Sequence, residues 1–120
     1  MEVELFDFLC SIYGKENVYL AYGDKVTKPG LSCVFYSDGM DYDKQLDGTT
    51  NLVIGNFTVD IWNDSMKTTM ESSKLLIDKV EGTKYQVQNV RPVREDGYKR
   101  KWHRVIQLRI MEDFTVGTDF

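Results

Sequence analysis

Residues 52–62, LVIGNFTVDIW, constrain the fold more tightly than any other stretch of the chain. Val53, Phe57, Val59 and Ile61 fall on one face, and Asn56, Thr58 and Asp60 on the other. That period of two marks a strand with one buried face and one wetter face. The period then changes within a few residues. Asp64 and Ser65 offer helix N-caps, and Met66, Met70, Ser73, Ile77 and Val80 follow at helical spacing up to Gly82. These form one face of an amphipathic helix. A half-buried strand running straight into such a helix requires a sheet with a helix laid on it. The two methionines are read as core, because their spacing aligns them with Ile77 and Val80.

The remaining segments fit around this unit. Residues 4–13 repeat Leu5, Phe6, Leu9, Ile12 and Tyr13 at helical intervals, and Gly14 closes the helix. Residues 18–22 and 31–36 read as strands, with Pro29-Gly30 as the turn before the second. Residues 37–51, SDGMDYDKQLDGTTN, read as a long polar loop. Residues 85–93 read as a strand that Pro92 places at an edge or an irregular end. Glu95-Asp96-Gly97 signals a hairpin turn, and residues 98–111 the return strand. Residues 112–120 show no clear period. The order α–β–β–β–α–β–β, with short turns, predicts an α+β fold: two helices packed on an antiparallel sheet, in a single domain over residues 1–120.

Composition excludes several classes. No run of 18 apolar residues is present, so no membrane span is expected. The acidic start, Met1-Glu2-Val3-Glu4-Leu5, lacks the basic region of a secretory signal, which predicts action in the cytoplasm or in something assembled there. Cys10 and Cys33 have apolar flanks and form no CxxC pair; they are read as reduced, buried side chains. Asp38, Asp41, Asp43 and Asp47 crowd the polar loop, yet an EF-hand beginning at Asp41 meets Leu46 and Leu52 where glycine and glutamate are needed. They are read as a solvated acidic loop, and no metal or cofactor is expected. His103 is the one histidine; general-base work would need an orienting carboxylate and a cleft, no serine or cysteine motif pairs with it in sequence, and it is read as a surface residue. No phosphate-binding glycine motif occurs. The chain is not expected to be an enzyme.

One segment stands out. Of fifteen basic residues, six lie in residues 91–104: Arg91, Arg94, Lys99, Arg100, Lys101 and Arg104. Only two of nineteen acidic residues, Glu95 and Asp96, accompany them. Such local reversal on an acidic chain favours one oriented contact over general polyanion binding. Ile106, Leu108 and Ile110 share a strand face, and its continuation carries Arg104, Trp102, Arg100 and Tyr98. The apolar face thus turns cationic and aromatic partway, which predicts a protruding basic hairpin with Trp102 at its root. It would bind nucleic acid, bind an acidic protein partner, or be merely solvated.

The passage FTVDIWNDSMKTTMESSKLLIDKVEG (57–82) and the ending REDGYKRKWHRVIQLRI (94–110) resemble the small tail terminator, or tail-completion, proteins of long-tailed bacteriophages, some described as minor capsid proteins. The resemblance covers nearly the whole chain. It implies a structural virion protein without catalysis: an α+β subunit of a ring, usually a hexamer, that caps the tail tube and presents a surface to the head–tail connector. DNA passes through such a ring without sequence-specific binding. The implied location is the head–tail junction of the virion, after assembly in the host cytoplasm. The family has no fixed contact residues. Composition instead nominates the basic residues 91–104 and the acidic loop as complementary patches between copies, since ring subunits meet head-to-tail. A stable interface buries about 800 Å² per partner. The alternative function is a small nucleic-acid-binding protein using the hairpin 91–104.

Overall fold

The computed structural model describes residues 2–20, 28–44, 50–97 and 100–115, with the backbone alone for 40–44, 50–52 and 113–115. Helix α1 (Glu2–Tyr13) is followed by a 3₁₀ turn (Lys15–Asn17) and strand β1 (Val18–Leu20). Then come β2 (Ser32–Lys44), β3 (Thr50–Asn63), α2 (Met66–Val80), β4 (Tyr85–Val90), β5 (Arg94–Asp96) and β6 (Lys101–Thr115). The sheet order is β1-β2-β3-β6-β4, with β5 also paired to β6. This is the expected α+β arrangement with two corrections: the short strand β5 occupies part of the expected turn at Glu95-Asp96-Gly97, and one strand pair is parallel. All pairs are antiparallel except β1 with β2, which run parallel. Eleven residues, 21–31, separate them, and only a connection of a few residues forces an antiparallel partner.

Both helices lie on one face of the sheet. Leu5, Leu9 and Tyr13 of α1 and Leu76 and Val80 of α2 close over Cys33, Phe35, Phe57, Val59, Ile61, Ile106, Leu108 and Ile110. These are the odd positions of β3 and the even positions of β6, as alternation predicts. Helix α2 starts at a capping box: Ser65 Oγ accepts from Thr68 N–H at 3.1 Å, and Thr68 Oγ1 accepts from Ser65 N–H at 3.2 Å. Both cysteines are free thiols; Cys33 is wholly buried and Cys10 half-buried.

Two expectations fail here. The first is the long loop. Strand β2 continues to Lys44 and β3 begins at Thr50, so most of residues 37–51 is paired strand. A bulge between Ser37 and Gly39, with Gly39 at φ 124°, lets the ladder resume past Asp38. Pairing with the strongly β-forming β3 overrides the polar composition. The second is the methionine stripe. The buried residues of α2 are Thr69, Ser73, Leu76 and Val80, whereas Met66 is 50% and Met70 46% exposed. The core stripe is turned about 50° from the predicted one, at roughly 100° per residue.

The three central strands outrun their neighbours. β1 stops opposite Phe35 and β4 begins opposite Ile110, while β2, β3 and β6 continue to Lys44, Thr50 and Thr115. The molecule is elongated, 55 × 24 × 24 Å. Its projecting element is therefore a three-stranded ribbon that includes Asp41 and Asp43.

Candidate functional site

The basic segment is folded more closely onto the body than its composition predicts. A hairpin does form: Arg94, Glu95 and Asp96 pair with His103, Trp102 and Lys101. Trp102 and Arg104 also continue the face of Ile106, as alternation requires. That face does not leave the domain, because the polar first half of α2 covers it. Arg104 Nε donates to the Arg91 carbonyl at 2.9 Å, and Arg104 Nη1 to Ser73 Oγ at 3.3 Å. The Trp102 carbonyl accepts from Thr69 Oγ1 at 3.4 Å. Thr69 and Ser73 are fully buried against this seam. The polarity switch marks a polar helix–sheet contact, not an exit from the fold.

The odd positions point to the face without helices. Lys101 is only 3% exposed. Its ammonium donates to the carbonyls of Lys28 and Gly30 at 2.7 and 2.6 Å, and lies 3.5 Å from an Asp64 oxygen. The segment Lys28–Gly30 is thereby pinned over this end of the sheet. Next along, His103 Nδ1 lies 2.9 Å from Asp60 Oδ1, and its ring stacks on Trp62 with centroids 4.2 Å apart and planes 10° apart. Asp60 and Trp62 are buried, while the His103 side chain is 24% exposed. The orienting carboxylate that sequence spacing did not reveal is thus supplied by β3, 43 residues away. The signal was present in the alternation: Asp60 opposes Val105 and Trp62 opposes His103 in register, so both fall on one face. Among the described residues no hydroxyl or thiol is hydrogen-bonded to His103.

The other nominated residues separate. Arg91 and Arg94 are exposed on the hairpin side, and Arg100 is exposed in the turn at φ 55°. Lys99 and Asp47 lie outside the described residues. Asp38 is exposed at the bulge and accepts from Thr58 Oγ1 at 2.6 Å. Asp41 pairs with Ile54 and Asp43 with Leu52 in the ribbon, far along the strands from the basic hairpin. Acidic and basic patches thus occupy opposite ends of the long axis and do not meet within one copy.

A surface that sequence reasoning assigned to the core lies beside Arg104. Met66, Met70 and Ile77 line a groove of about 460 Å³ with Lys67, Glu71, Lys74 and Arg104. At the opposite sheet edge, Val3 is 73% and Leu20 56% exposed, and both line a second hollow with Glu2, Phe6 and Phe35. The first hollow is rimmed mainly by cations and the second by an acid. Two unlike apolar patches at opposite edges suit contact between different faces of identical subunits.

No sequence profile of a known protein family matches the chain, and no curated protein matches it in sequence. Its fold does recur. A chain from the virion of a native gene transfer agent particle matches it with a TM-score of 0.59 at 14% identity, over 88% of this chain and 84% of that one. At that identity the likeness is one of fold.

Proposed function

We propose that this chain is a structural virion protein of the tail-terminator type: a ring subunit, hexameric in the family it resembles, that caps a tail tube and joins it to a head connector, with DNA passing through the ring. The observation that carries the reading is the fold shared with a virion chain along nearly the full length of both. The exposed methionine groove and the opposite Val3–Leu20 patch support it, since a subunit assembling head-to-tail needs two different surfaces. The projecting ribbon supports it as an arm able to reach a neighbouring copy or the tube. The role is one of assembly and not of catalysis.

The test is sedimentation velocity across a concentration series, alone and with tail tube protein. A concentration-dependent ring is expected. Met66→Glu with Met70→Glu is expected to abolish it while the far-ultraviolet circular dichroism stays unchanged. A chain that remains monomeric at high concentration, with tube protein present, would end this reading. The alternative, a nucleic-acid-binding protein using residues 91–104, is weakened because Lys101 and Arg104 spend their hydrogen bonds inside the fold.

A further inference from the structure

Arg91, Pro92, Arg94, His103 and Val105 line a small pocket of about 180 Å³ on the helix-free face. Register explains why they meet. Arg94 is paired directly with His103, and Arg91 N–H donates to the Val105 carbonyl at 2.9 Å, which sets Arg91 one row along. Side chains opposite one another on antiparallel strands project to the same face. Among the described residues neither guanidinium lies within ion-pair distance of a carboxylate. His103 is held differently from a surface histidine. Buried Asp60 takes Nδ1 and Trp62 stacks on the ring, so orientation is set before any ligand arrives. Nε2 is the nitrogen left for the pocket. In the imidazolium form both ring nitrogens are donors, so Nε2 can bond a ligand while Nδ1 donates to Asp60.

We propose that Arg91, Arg94 and His103 form a phosphate-binding site complete within one copy of the chain. Two guanidinium forks and one fixed imidazole on the lining of one pocket supply enough donors for a tetrahedral oxyanion, which a planar carboxylate would not use in full. Pro92 and Val105 supply an apolar wall that strengthens these contacts relative to open water. The phosphate comes either from a nucleic-acid backbone or from a free phosphate compound. The site stands independently of ring assembly, so its failure and the failure of the ring reading are separable.

His103 is the sole histidine, so its imidazole resonance is an unambiguous reporter. The full chain is titrated with inorganic phosphate and, separately, with a short DNA duplex, at constant pH and ionic strength. A saturable shift of the His103 resonance is expected. Arg91→Ala with Arg94→Ala should weaken it at least ten-fold without altering the melting temperature. A shift with both titrants assigns a backbone phosphate, and a shift with inorganic phosphate alone assigns a small phosphate ligand; either upholds the site. An equal shift with acetate, no saturation with either titrant, or an unchanged titration in the double variant overturns it.

Discussion

At the scale of single residues, a few buried polar groups hold distant segments together. Lys101 is the clearest, an ammonium bonded to two carbonyls of the Lys28–Gly30 segment. Lys101→Met keeps most of the volume but leaves both carbonyls without their donor, and is expected to cost about 1–3 kcal/mol, measured as a lowered urea midpoint. Cys33 tests burial on the other face. Its complete burial pushes the thiol well above the ordinary cysteine range, with Asp60 and Cys10 as lesser contributors. The thiolate is the reactive form, so Cys33 should resist alkylation in the folded protein and react only on unfolding. Mass-spectrometric counting of labelled sites across a denaturant series checks this.

At the scale of elements, α2 has separate stabilising and exposed features. Ser65→Ala removes half of the capping box and is expected to cost about 0.5–2 kcal/mol. Met66→Glu and Met70→Glu should each change stability by no more than about 0.5 kcal/mol, because both side chains are half exposed. A loss of about 2–5 kcal/mol is the outcome for a large core side chain such as Leu76→Ala. Comparing the three by chemical denaturation separates the observed stripe from the one read off the sequence. The difference arises from what lies beneath the helix. Trp102 and Arg104 occupy the sheet under the first half of α2, so small polar Thr69 and Ser73 fit there and the bulky methionines are turned aside.

At the scale of the whole molecule, one surface cluster ties three elements. Lys84, just before β4, pairs with Glu4 of α1 and with Glu112 of β6. The hydrogen bond from Lys84, aided by its charge, holds the Glu4 carboxyl below its ordinary value. The same contacts, with Glu4 first and Glu112 second, raise the Lys84 ammonium. The lowered carboxyl contributes stability above the ordinary glutamate value of 4.5 and loses it as pH falls through its folded value. The raised ammonium contributes below the ordinary lysine value of 10.5 and loses it as pH rises through its folded value. Thermal melts of the natural chain and of Lys84→Met should differ by a small, constant amount between those limits. The difference should shrink beyond both, and added salt should reduce it throughout.

Periodicity in the sequence determined which residues share a face. The alternation of β3, the cap at Ser65 and the continuity of Trp102 and Arg104 with Ile106 were all legible, because each depends on local geometry. What lies across from each face was decided only by tertiary structure. The polar half of α2 covers Arg104, the Lys28–Gly30 carbonyls take Lys101, and β3 brings Asp60 and Trp62 to His103. A basic, aromatic stretch on an acidic chain therefore looked like a free arm, while an acidic stretch that looked like a loop became the projecting ribbon. The physical reason is one and the same. Local sequence sets the period and the direction of side chains, but a polar group's partner comes from strands and segments far away in the chain. Long-range pairing therefore decides whether that group meets water or protein.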